Sequence, residues 1–192
     1  LARAALTAQR AGPGPAGALR PDSFVLLDVY MPRKKEDKRL RALGVGFARH
    51  KIGIEHLDLA ALRREAARGR PLAVSANHLC GAAADYALRA AAAAGPRDVE
   101  AVVMSTCCHH RCAYEAYPNR AFFEALGFGP DEFRQITRMS SWAVDGGPAA
   151  AGAGAGDGAR RAAGLMCKRL LDTGRADFLR AQGYDCELVE CV

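Results

Sequence analysis

The 192-residue sequence predicts an α/β fold in which parallel strands carry helices on both faces. Three observations lead there. Compact apolar runs of strand length recur: SFVLLD at Ser23–Asp28, PLAVS ending at Ser75, and VEAVVMST at Val99–Thr106. Helix-forming stretches separate them, among them an Ala-rich segment closed by Gly95. Hydrophobic residues make up 50% and charged residues 25%, the balance of an ordinary globular protein with one sizeable core.

Leu1–Arg10 reads as a short helix, and Gly12–Gly17 as a Pro/Gly breaker. Ser23–Asp28 is a buried strand ending in an acid. Pro32–Leu43 is a charged helix with Pro at its first turn. A second strand is expected near Ala48–Ile54, then a loop reaching Asp58 and a helix that ends at Gly69. A third strand at Leu72–Ser75 opens into a loop, and the Ala-rich helix follows. Val99–Thr106 is the fourth strand. AYPNRAFFEALGFG and DEFRQITRMS read as two helices. Asp145–Ala159 is low-complexity and is expected to be a flexible insertion. The next segment is one long helix, or two joined near Gly174, and YDCELVECV is a last strand.

The net charge of +6 leans toward a polyanionic partner. Seven cysteines without framework spacing point to free thiols in a reducing compartment. No apolar run is long enough to cross a membrane. The Arg-bearing first twenty residues have the composition of a transit peptide, but the chain starts with Leu.

In parallel sheets ligands bind beyond the carboxyl ends of the strands. Asp28, Asp58, Asn77–Gly81 and Cys107–Cys112 all follow strands, so all four are candidates for one rim. Asp28 suits a ribose diol or a plain helix cap. His78 faces either a ligand or its own loop. Asp85, in a first helical turn, is favoured by the helix dipole without any function. The segment CCHHRC has four readings: a metal site, a Cys–His nucleophilic pair, small buried thiols at a strand end, or a pocket floor with polar groups aimed at a ligand. A metal is disfavoured, because adjacent residues after a strand diverge and no Cys-x-x-Cys elsewhere completes a set. Lys168, Arg169 and Arg175 read as helical surface, and with Arg160, Arg161 and Arg180 they form a candidate phosphate track.

Several segments together resemble one family. NHLCGAAADYALR, CCHHRCAYEAYPNRAFFEALGF, MSSWA and GLMCKRLLDTGRADFLRAQGY occur in the order found in eukaryotic tRNA 2′-O-methyltransferases that modify nucleotide 4 of the acceptor stem. The resemblance runs from about Ser23 to Val192. It implies S-adenosylmethionine as cofactor, a Rossmann-like methyltransferase sheet, a tRNA acceptor stem as partner, and a location in the nucleus or cytoplasm. Residues 1–192 would then be part of a methyltransferase domain, with 145–159 as an insertion. Asp28, Arg33, Lys35 and Asp37 fit the family pattern, whereas Val29 stands in place of Arg. Gly53 and His56 replace acids, Asp58 is kept, and Asn77 takes the place of a Lys. Leu1–Arg10 resembles the helix after a Gly-rich cofactor turn. The turn itself, a closing strand and the family's zinc-binding modules are missing from this sequence, which resembles the middle and end of the domain.

On this resemblance His78, His109 and His110 are the candidates to position or deprotonate a ribose hydroxyl. Asp28 and Asp58 would hold the cofactor. Arg33, Lys35, Arg111, Lys168 and Arg169 would face RNA, and no metal is assigned. Two rivals stay open: a remnant that binds RNA without catalysis, and a thiol or zinc protein.

Overall fold

The computed structural model describes residues 3–10, 23–29, 37–38, 41–42, 46–143 and 155–191. Among these residues there are six strands: β1 (Arg3–Arg10), β2 (Ser23–Asp28), β3 (Gly46–Lys51), β4 (Leu72–Leu79), β5 (Val99–Thr106) and β6 (Tyr184–Cys191). The helices are α1 (Leu59–Glu65), α2 (Ala82–Ala94), α3 (Arg120–Ala125), α4 (Pro130–Ser140) and α5 (Ala155–Ala181), with short 3-10 turns at Ile54–His56, His109–Arg111 and Ser141–Ala143. The architecture is α/β with two small sheets. One is four-stranded, in the order β4-β5-β1-β6, and the other pairs β2 with β3.

The β4–α2–β5 unit follows directly from its sequence. Along β4, Leu72, Val74 and Ala76 turn inward while Ala73, Ser75 and Asn77 are exposed, the two-residue period of a strand with one wet face. Alanine is the best helix former, and α2 buries Ala84, Ala87, Leu88 and Ala91 on one stripe. That stripe packs on Val102 and Met104 of β5, Tyr184 and Cys186 of β6, and Ala176 and Leu179 of α5. A second core holds Tyr117, Phe123, Phe133, Ile136, Cys167 and Leu171, with Phe123 and Phe133 edge to face at 4.9 Å. Gly174 of α5 is required there, because a Cβ would collide with the Tyr117 hydroxyl.

Four expectations are corrected. Arg3–Arg10 is a strand, not a helix: it fills the slot between β5 and β6, antiparallel to both, and the two ladders outweigh its helical propensity. The main sheet is therefore mixed, with only β4 and β5 parallel within it. Helices cover one face of that sheet among the described residues. On the other face Ser75, Asn77, Val103, Glu187 and Val189 are exposed. Finally, β4 runs on to Leu79, with a register shift between Asn77 and Leu79, rather than opening at Ser75.

Smaller differences concern boundaries. β3 begins at Gly46 and ends at Lys51, and α1 ends at Glu65. The long segment is one helix through Gly174. Of the helix expected over Pro32–Leu43, Asp37, Lys38, Arg41 and Ala42 are helical and the remainder lies outside the described residues. Of the insertion expected over 145–159, residues 155–159 belong to α5 and the rest lies outside. No helix among the described residues is long and apolar enough to cross a membrane.

Candidate functional site at the carboxyl ends of β4 and β5

Because β4 and β5 are parallel neighbours, the loops that follow them emerge side by side. The first, at Cys80–Gly81, is preceded by strained backbone at the end of β4: His78 has φ +58° at the register shift. Gly81 follows with φ +58°, and a Cβ there would run into the Arg111 carbonyl. Only glycine allows the two loops this approach. The second loop turns sharply after β5, through Cys108 into the 3-10 turn His109–Arg111.

This turn sends neighbouring side chains to opposite environments. His109 points inward and is 3% exposed, whereas His110 and Arg111 are exposed. His109 Nε2 donates to Asp172 Oδ2 at 2.8 Å, and the Thr106 hydroxyl donates to the same oxygen at 3.1 Å. The other Asp172 oxygen accepts from Arg175 Nη1 at 3.0 Å. Arg175 Nε donates to Asp85 Oδ1 at 2.8 Å, and its Nη2 to the Cys112 sulfur at 3.1 Å. The Arg175 guanidinium also lies 6.0 Å from the centre of the Tyr117 ring. One buried charge node thus ties the end of β5, its loop, α2 and α5 together.

The node sets the protonation of its members. Burial works against the Asp172 carboxylate, but the His109 hydrogen bond and the nearby positive charge hold its pKa below the usual value. Burial dominates at Asp85 and raises it despite Arg175. One oxygen of Asp85, Oδ2, has no hydrogen-bond partner. Arg175 opposes its own burial with two carboxylates and stays firmly protonated. Burial pushes the Cys112 thiol up to about 12, so it is a neutral acceptor for Arg175 and no nucleophile.

The outward side of the same loops carries a thiol cluster. Cys80 Sγ lies 3.1 Å from Cys107 Sγ, and Cys107 Sγ lies 3.6 Å from Cys108 Sγ. All three sulfurs fall within 4.8 Å of one another. They are free and half-buried, whereas the free core thiols Cys167 and Cys186 are buried. Burial and the Cys107 contact raise the Cys80 thiol; contact with Cys80, then burial, raises Cys108.

The predicted site residues separate on the structure. His78, His110 and Arg111 are at this rim and exposed; His109 is beneath it. Asp28 ends β2 in the other sheet, exposed at the carboxyl end of a parallel pair, so no ladder joins it to β4 and β5. Asp58 caps α1, with Oδ1 accepting from Ala61 N–H at 2.8 Å. Lys168 Nζ donates to the Ala143 carbonyl at 3.1 Å, and Arg169 is exposed on α5. Arg33 and Lys35 lie outside the described residues.

Arg175, expected on helical surface, is instead among the most buried side chains. Asp85 is its partner rather than a mere helix-dipole acid. The sequence did hold a signal: Asp172 and Arg175 are one turn apart, on a stripe with Leu171, Ala176 and Leu179. Cys80 had no such signal. It completes the thiol cluster only because β4 and β5 are neighbours.

For a ribose-bearing cofactor, Asp28 and Asp58 both present exposed acids, and one Asp58 oxygen already caps α1.

A family model described as methyltransferase TRM13 matches residues 4–192. The chain is 34% identical over 221 residues to the tRNA:m(4)X modification enzyme TRM13 of Eremothecium gossypii, an alignment covering 97% of this chain and 48% of that protein. It is 30% identical over 205 residues to the enzyme of the same name in Yarrowia lipolytica, covering 88% of this chain and 44% of that one. The human TRM13 homolog is 30% identical over 163 residues, 64% of this chain and 34% of its own. The chain thus spans about half the length, or less, of these curated relatives. No solved structure matches.

Proposed function

Starting from the chain's membership of the methyltransferase TRM13 family, we propose that it is the catalytic part of a tRNA 2′-O-methyltransferase acting on nucleotide 4 of the acceptor stem. The observation that carries the reading is the joined rim after β4 and β5. Two loops from adjacent parallel strands are pressed together at Gly81 and Arg111, with two exposed imidazoles and an exposed guanidinium on them. Such a rim is the usual ligand edge of a Rossmann-like sheet.

S-adenosylmethionine, when bound, would supply a methyl group on a positively charged sulfur. Asp28 would hold its ribose diol; Asp58 is the weaker candidate, being a helix cap. A ribose hydroxyl is a poor nucleophile, so the chain's task is chiefly orientation. His78 and His110 are both exposed on the rim, and either would be able to accept the hydroxyl's proton. His109 acts differently: held by Asp172, it fixes the backbone that presents His110 and Arg111. Arg111 would bind a phosphate. Arg169 and Lys168 would extend that contact along the stem, which is read by shape and phosphates. Arg33 and Lys35 are proposed for the same surface. The net charge of +6 favours such a partner, and the reading implies the nucleus or cytoplasm as location.

The test is transfer of a radiolabelled methyl group from S-adenosylmethionine to tRNA, followed by mapping the product. Label at the ribose of nucleotide 4, seen as resistance of that linkage to alkali, is the expected result. Label on a base, or none, overturns it. Asn77 bears on a second reading, RNA binding without catalysis, because a Lys is expected there. Asn77 is exposed on β4 just before His78. Asn77→Lys is expected to raise the transfer rate, and an unchanged rate removes Asn77 from the argument.

A further inference from the structure

We propose that Cys80, Cys107 and Cys108 bind one thiophilic divalent cation, zinc by preference, through three thiolates, with a fourth position left open to solvent. Three observations converge on this.

The first is distance. A tetrahedral zinc with Zn–S near 2.3 Å holds its sulfurs about 3.8 Å apart. The three sulfurs here are already gathered, at 3.1 and 3.6 Å for two pairs and within 4.8 Å for all. Among the described residues this is the one group of three or more His, Cys, Asp or Glu side chains that meets such a spacing. The adjacency of Cys107 and Cys108 is no obstacle, because the chain turns at Cys108 instead of continuing as a strand.

The second is environment. Buried thiols with no ligand sit in apolar cores, as Cys167 and Cys186 do. Cys80, Cys107 and Cys108 belong to neither core and are half-buried, so a cation can enter from solvent. Soft thiolates select zinc over magnesium or calcium. Three thiolates on a dication leave one net negative charge, on a rim whose second loop carries the cation Arg111.

The third is support. The loop carrying Cys107 and Cys108 is fixed from below by His109 on Asp172, and the loop carrying Cys80 is pressed against it at Gly81. Ligands held this way lose little freedom on binding. The cation would cross-link the two loops of the rim. Cys112 is excluded from the set, since its sulfur accepts from Arg175.

The inference stands apart from the methyltransferase reading, and its readout is metal. The full chain, purified under reductant, is titrated with Co(II) and its zinc content measured. One equivalent is expected, with near-ultraviolet bands of thiolate-to-cobalt charge transfer. Cys80→Ser, Cys107→Ser and Cys108→Ser should each weaken binding by more than the roughly 10–100-fold that loss of an outer partner costs. Cys167→Ser and Cys112→Ser should leave it intact. In case a variant fails to fold, alkylation of the wild-type chain gives an independent answer: metal should protect Cys80, Cys107 and Cys108 together. Sub-stoichiometric metal in the reduced chain, binding that survives Cys80→Ser, or protection falling on other cysteines overturns the proposal. A chain that takes up zinc and methylates nothing supports the site while overturning the methyltransferase reading.

Discussion

Within Cys107–Cys112, His109 and His110 are chain neighbours with opposite surroundings. His109 joins a buried lattice of Thr106, Asp172, Arg175 and Asp85. His110 faces solvent beside Arg111 and the thiol cluster. The turn at Cys108 divides a motif that looks homogeneous in sequence into a foundation and a working surface. Mutations in the two halves should therefore fail differently: below the turn through stability, above it through chemistry.

The largest expected effect is on the foundation. Arg175→Met leaves Asp85 and Asp172 facing each other without their cation. Breaking a buried pair from one side costs about 3–5 kcal/mol, a large part of the stability of an ordinary domain. Urea unfolding should show it. Asp172→Asn adds a pH test. The folded Asp172 pKa is depressed, so its stabilisation is present above the unfolded value of about 3.9 and is lost as pH falls through the folded value. The stability gap between wild type and Asp172→Asn should thus be widest at neutral pH and close in acid. Asp85, raised by burial, has the opposite sign: its contribution declines as pH rises from about 3.9 to its folded value. A gap that stays constant from neutral pH down to strong acid would show that Asp172 is not held as an anion.

Next comes the seam between the halves. Gly81→Ala forces a side chain into a positive-φ position and against the Arg111 carbonyl. A strain cost of about 1–3 kcal/mol is expected. Calorimetric unfolding measures it, and RNA binding should weaken with it if Arg111 is displaced. A control away from both halves is Asp58→Ala, which removes the α1 cap for about 1 kcal/mol. If Asp58 also holds the cofactor, S-adenosylmethionine affinity drops more than this loss of stability explains.

What the sequence made legible has a common physical basis. The bounds of Ser23–Asp28 and Val99–Thr106 are legible to the residue, because short apolar runs bounded by polar residues carry their own signal, although Ser23–Asp28 is half-exposed rather than the buried strand expected. α2 was found because alanine propensity and burial agree. Arg3–Arg10 misled because its partners are β5 and β6, more than ninety residues away, and local propensity cannot register such a ladder. The mixed sheet follows from that one strand. In the site, CCHHRC announced that something polar happens after β5, but not which His turns inward. That is decided by Asp172, on a helix more than sixty residues later. Likewise Cys80 carried no signal until topology set its loop beside Cys107.

The working surface should show the smallest change in stability and the clearest change in rate. His110 is exposed and no hydrogen bond ties it to the node, so His110→Ala should alter stability by no more than about 0.5 kcal/mol. If His110 accepts the hydroxyl proton, methyl transfer should fall by about 10²–10⁴-fold with little change in KM for tRNA. His78→Ala, at the other loop, separates the two imidazoles, since one base suffices for one proton. His109→Ala is the necessary contrast: its rate loss should come with a stability loss, because the buried Asp172 loses a partner. Should His110→Ala and His78→Ala both transfer methyl groups at the wild-type rate, neither exposed imidazole is the base. The rim would then act by orientation and charge alone, with Arg111 and the loops joined at Gly81 as its means.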